Sequence, residues 1–266
     1  MGGVARHYCA LRAVCYPRAT MMRTSNPTLG QNTFTQPALV GEQTMTIQGT
    51  VNKTAILLAL CMATAIFSWQ KFEANPAAAM PLVFGGAIAG FIFALITCFK
   101  KQWAGVTAPI YALCEGLFIG AISAMYNQKF QGIVLQAAML TFGTLFALLA
   151  AYRSGWIRAT ENFKLGVAAA TGGIFLMYLV SWILSMFGVS MGFMHDSSLL
   201  SIGISAFIVV IAALNLVLDF DFIEEGAKLG APKYLEWYAG FGLLVTLIWL
   251  YLEILRLLAK LSSRRN

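Results

Sequence analysis

Apolar positions along the chain gather into seven long runs, at about 51–69, 79–99, 106–126, 133–152, 165–187, 199–220 and 235–259. A helix needs about 20 residues at 1.5 Å rise to cross about 30 Å of hydrocarbon, and each run is long enough or nearly so. Short connections separate them: EANPA, KKQWAG, NQKFQG, RSGWIRATENFK, GVSMGFMHDSS and EEGAKLGAPK. These hold most of the charges and turn residues. Backbone exposed to lipid has no water to bond, so the runs must be helices. The pattern predicts an all-α polytopic membrane protein, a seven-transmembrane-helix bundle over 51–261. A polar, disordered N-terminal segment precedes it at 1–50, and a basic tail follows at 262–266.

Composition agrees. The chain is 59% hydrophobic and 11% charged, against about 45–50% and about 25% in soluble domains. The lipid bilayer is therefore its first partner. The net charge of +7 raises nucleic acid as another. The basic residues lie in short runs between apolar segments with no aromatic-interleaved patch, which argues against nucleic acid. They read as topology signals. More Lys and Arg fall on the side of the N-terminus, which predicts a cytosolic N-terminus. Trp69, Trp103, Trp156 and Trp237 fall near the expected interfaces. In 1–50, Arg6, Arg12, Arg18 and Arg23 meet a single acid, Glu42, and no apolar segment of the kind a secretory signal needs is present. Met21 and Met22 are alternative starts.

Catalytic signatures do not stand out. HExxH, P-loop and dinucleotide patterns are absent, so no enzyme and no cofactor are expected. The five cysteines are odd in number and form no CxxC, which argues against a disulfide framework. His7 and His195 are far apart, so no metal site is expected. His195 beside Asp196 is weak evidence for any chemistry.

The stretch 214–258 is different. Ionisable groups at bilayer depth are costly and mark function by default. Asp219 and Asp221 close the sixth run, with Asn215 one turn before Asp219. Glu224 and Glu225 follow in what reads as a solvated acidic loop. Their spacing is not that of a calcium-binding EF-hand. Glu253 lies deep in the seventh run, with Arg256 three residues on and on the same face. It either pairs with Arg256 or belongs to a titrating carboxylate pair, since two carboxylates sharing a low-dielectric site cannot both ionise cheaply. Glu115 lies roughly 15 Å from the Lys100/Lys101 end of the third run, near mid-depth. It is either a protonated carboxyl bonded to a neighbouring helix or part of an ion path. Gly86/Gly90 and Gly116/Gly120 are small-residue pairs suited to close helix packing.

VLDFDFIEEG closing the sixth run and WLYLEILRLL in the seventh resemble the Bax inhibitor-1 (transmembrane Bax inhibitor motif) family. TMTIQGTVNKTA and PIYALCEGLFIG bring the chain nearest a bacterial branch. The resemblance covers about 45–261. It implies a bundle whose last helix is central and wrapped by the other six. It also implies a pH-sensitive calcium leak with an aspartate pair as sensor. The matching positions are Asp219 and Glu253, the second a departure from aspartate. Asp221 and Arg256 are possible accessories, and Lys100 or Lys101 would serve as a basic latch. The interval between Asp219 and Glu253 is long for that pattern. If the last helix starts at Leu235, Glu253 lies about 27 Å along it, toward the opposite surface from Asp219. Direct pairing then requires 233–240 at the interface or a broken helix. The alternative is a chain of separated carboxylates, Asp219, Glu115 and Glu253. The expected function is a cation (calcium) leak channel in a bacterial inner membrane. A non-conducting regulator binding a membrane protein partner, such as a protease or cell-death factor, is the rival. A proton-coupled transporter ranks last.

Overall fold

The computed structural model describes residues 43–188 and 198–265. His7, Cys9, Cys15, His195, Asp196 and the N-terminal arginines lie outside the described residues. The helices are α1 (Ile47–Ala74), α2 (Pro76–Phe99), α3 (Ala104–Lys129), α4 (Ile133–Arg153), α5 (Glu161–Met186), α6 (Leu199–Lys228) and α7 (Leu235–Arg265). A 3-10 turn, Lys101–Trp103, joins α2 to α3. All seven are long and apolar enough to cross a membrane, and the protein is a polytopic helical membrane protein. We call the face where α1 begins the near face.

Most ends carry a local reason. Thr46, Thr160 and Ser198 cap α1, α5 and α6, each accepting a backbone N–H from the first turn through its hydroxyl. Gly230 ends the α6 region with φ 64°, a conformation that costs other residues a clash with their own Cβ. Nothing breaks the helix before it. Glu, Ala and Lys are good helix formers, and Glu224 pairs with Lys228 one turn on at 2.5 Å. The stretch read as an acidic loop is therefore helical: Asp221, Glu224 and Glu225 stand on the last two turns of α6. At the other end, 262–265 continue α7.

The last helix is central. It packs against α1, α3, α4 and α6, and 61% of its span is buried, against 11% for α5. Its buried residues lie all round the cylinder, among them Tyr238, Phe241, Leu244, Leu247, Leu250 and Leu255, as an interior helix requires. α2 packs on α1 and α3, while α5 packs mainly on α6.

Glycine sets the tightest crossing. A Cβ on Gly116 would strike the backbone carbonyl of Cys61, and one on Gly120 would strike the backbone of Ala65. The pair lets α3 lie against α1. Around Gly172 and Gly173 there is open space. We expect Gly120→Ala to cost about 1–3 kcal/mol through overpacking, seen as a lower Tm in detergent. Gly172→Ala should leave Tm unchanged or raise it, because alanine is the better helix former. Equal losses for the two would contradict this packing.

Candidate functional site

The acids of α6 and α7 are met mainly by polar side chains from α5 and α4. At the near end, Lys164 of α5 is buried at 7% exposure. Its Nζ lies 2.6 Å from Asp221 Oδ2, 3.6 Å from Glu161 Oε1 and 4.0 Å from Glu225 Oε2. Tyr152 of α4 donates its hydroxyl to Glu224 Oε2 at 2.7 Å and to Asp221 Oδ1 at 3.3 Å. The ammonium sits amid the acids, so their charge is partly offset from within the protein. Among the described residues no group of three or more His, Cys, Asp or Glu side chains is set to hold a metal.

Deeper along the same seam, Asp219 is fully buried at 0% exposure, and Asn215 one turn earlier at 2%. Asn215 Nδ2 donates to Thr171 Oγ1 of α5 at 2.9 Å and to the Ile211 carbonyl at 2.8 Å. Toward the far face, Glu253 is 2% exposed. It accepts from the Tyr178 hydroxyl at 2.8 Å, from Trp249 Nε1 at 3.3 Å, and from Arg256 Nη1 at 3.0 Å on each oxygen. Arg256 also donates to the Tyr178 hydroxyl at 2.5 Å and lies over that ring. Of the two sequence readings of Glu253, the local pair with Arg256 is the one present. One turn on, Lys260 Nζ binds Ser201 Oγ and Ser205 Oγ of α6, both at 2.8 Å.

Asp219 and Glu253 do not share a site. α6 and α7 are antiparallel neighbours, and 1.5 Å per residue puts Asp219 about 14 Å and Glu253 about 27 Å from the near end. Helices this long and unbroken separate the two carboxylates along the axis. Glu115 is set apart as well. It faces α2, with its Oε2 3.0 Å from where a Cβ on Gly90 would lie, and α2 packs on neither α6 nor α7. Lys100 stands over the Trp103 ring at 4.6 Å and Lys101 over the Tyr238 ring at 5.5 Å. The bases drawn onto the acids of the seam are Lys164 and Arg256.

Several contacts of these acids are not legible in the sequence. Lys164 reads there as one more loop charge, yet the Thr160 cap starts α5 early enough to turn it inward. Tyr178 and Tyr152 carry no spacing signal. Glu236 in YLEWY is the other omission. It is 2% exposed, and its Oε1 accepts from Thr46 N at 3.1 Å and Thr46 Oγ1 at 3.0 Å. The carboxylate thus sits under the N-terminus of α1, where unpaired N–H groups and the helix dipole favour an anion. Close by, Met45 N donates to the Ala231 carbonyl at 2.7 Å and Lys233 N to the Gln43 carbonyl at 3.1 Å. The segment before α1 is thereby clipped to the α6–α7 turn.

Two stability measurements follow. Glu236→Ala removes the buried carboxylate that accepts from Thr46 N and Oγ1 and should cost about 1–3 kcal/mol, read as a lower Tm and faster proteolysis at the near face. Tyr178→Phe and Glu253→Gln should be non-additive in a double-mutant cycle by about 0.5–3 kcal/mol. The low end is expected, because the Arg256 side chain is 38% exposed and water screens its pairing. Strict additivity would remove the energetic link between α5 and α7.

One comparison identifies relatives. A family model described as Bax inhibitor 1 like matches residues 26–263. No curated protein and no solved structure gives a match.

Proposed function

The chain belongs to the Bax inhibitor 1 like family, and on that premise we propose that it is a pH-sensitive leak for calcium or another cation, with the α5–α6–α7 seam as its path. The observation that carries this reading is the complete burial of Asp219, with polar groups at successive depths on either side of it. Asp221 and Glu225 lie toward the near face, Asn215 and Thr171 deeper, and Glu253 beyond. A cation crossing a low-dielectric bundle needs such oxygens to replace its water.

The two bases explain a closed state. Lys164 at the near end and Arg256 at the far end occupy positions that a mobile cation would take. Asp219 between them is the proton-controlled element. Ionised, it draws a cation into the seam; protonated, it offers no charge, so flux rises with pH. Glu253 is not a second sensor sharing a proton with Asp219. It is the far latch, tied to α5 through Tyr178. Calcium is favoured among cations as a hard ion suited to carboxylate and amide oxygens. The Lys and Arg bias supports a cytosolic near face, and the resemblance of TMTIQGTVNKTA and PIYALCEGLFIG to the bacterial branch supports a bacterial inner membrane.

The test is calcium entry into vesicles of purified protein, followed with an entrapped dye across a pH series. Wild-type flux should rise with pH. Asp219→Asn should lower it at high pH by about tenfold, equivalent to ~1.4 kcal/mol of barrier, and flatten the profile. Lys164→Met should raise flux at fixed pH by removing the near plug. An Asp219→Asn variant with wild-type flux and pH profile would overturn the reading.

A further inference from the structure

A cavity of about 580 Å³ lies between α1 and α4, over a floor made by α3 and α7. It is not part of the acidic seam. Its floor and α4 wall are apolar apart from Ser123 and Tyr251, whose hydroxyls lie 2.6 Å apart, and Thr141, which donates to the Ala137 carbonyl. These hydroxyls are thus satisfied internally. A hydrated cation would find little to bind there, whereas a hydrocarbon chain would.

Its length fits one leaflet. On α1 the lining runs from Leu58 to Glu73, about 22 Å at 1.5 Å per residue. A bilayer is about 40–45 Å thick with its headgroups, so half of it is about the same. Leu58 and Cys61 lie near mid-membrane and Trp69, Gln70 and Glu73 at the far face. The volume falls within the range of ligand pockets, about 300–1,000 Å³.

The mouth is selective by charge. Glu73 is the one charged residue in the lining, which contains no Lys or Arg. It stands in the last turn of α1, where unpaired carbonyls already make the helix end negative. Lys71 is directed elsewhere, over the Phe67 ring at 5.6 Å. Trp69, half-buried beside the mouth, adds an aromatic face that attracts cations. This is a site for a group carrying positive charge at the far surface, attached to a long apolar chain.

We propose that this cavity is a lipid site holding an acyl chain of a far-leaflet phospholipid with an ammonium headgroup, the ammonium bound at Glu73 and Trp69. The full-length protein is placed in nanodiscs of phosphatidylethanolamine and phosphatidylglycerol in equal amounts. Retained lipid is then identified by native mass spectrometry after mild release. Wild type should keep one phospholipid per chain, enriched about two- to fivefold for ethanolamine over glycerol, the size of one exposed cation contact. Glu73→Gln should abolish the preference while the lipid stays, and Glu73→Lys should reverse it. Ala138→Trp, which fills the cavity from α4, should lower retention. The exposed Glu73 variants decide the matter if the tryptophan disturbs folding. Retention at the disc's own ratio, unmoved by Glu73→Lys, would overturn the proposal. So would release as a lipid-free dimer, which would make a second copy the occupant.

Discussion

A carboxylate inside a bilayer has to be met by another part of the protein, and this constraint orders the C-terminal half of the bundle. Desolvation of an unpaired ion costs several kcal/mol even after relaxation. The acids of α6 and α7 therefore bind their own helix mates and also reach across to α4 and α5. α5 is the least buried helix, with little apolar packing to hold it. It stays through Lys164 on Asp221, Thr171 on Asn215 and Tyr178 on Glu253. Apolar packing of α5 tolerates small displacement, whereas these contacts depend on charge and geometry. The most weakly packed helix is thus the one held chiefly by polar contacts to α6 and α7.

The other half obeys a different rule. α1, α2 and α3 meet through glycine, with α1 and α3 so close that no side chain fits at Gly116 or Gly120. α7 joins the halves: Tyr111 of α3 packs edge-on against Phe241 at 4.9 Å, and Glu236 holds the start of α1. A glycine-packed three-helix group, a central helix and a polar-tethered seam thus divide the bundle into two flanks held by different interactions. The α1–α4 cavity lies where the two flanks meet, outside the acidic seam.

Much of this was legible in the sequence. Seven runs, their approximate ends, the small-residue pairs and the unusual acids all follow from hydrophobic pattern and side-chain chemistry. The extent of α6 was not, because EEGAK reads as polar punctuation although its Gly226 costs the helix only about 1 kcal/mol. The separation of Asp219 from Glu253 was legible from helical rise alone. The partners of the acids were not. Lys164 and Tyr178 come from a helix distant in sequence, and their inward turn depends on rotation about the α5 axis, which a nearly uniform apolar surface does not encode. Glu236 shows the same limit: its role exists only because the α6–α7 turn brings it beneath Thr46.

The central claim is that Asp219 changes protonation inside the bundle and that conduction follows it. Infrared difference spectra of the reconstituted protein, titrated in pH and compared with Asp219→Asn, observe that carboxyl directly. The account predicts a carboxylic C=O band, shifted from that of hydrated acids, which is lost in the variant and titrates in step with calcium flux. A spectrum identical in the two proteins, or a band at the position of a water-exposed acid that titrates independently of flux, would contradict it.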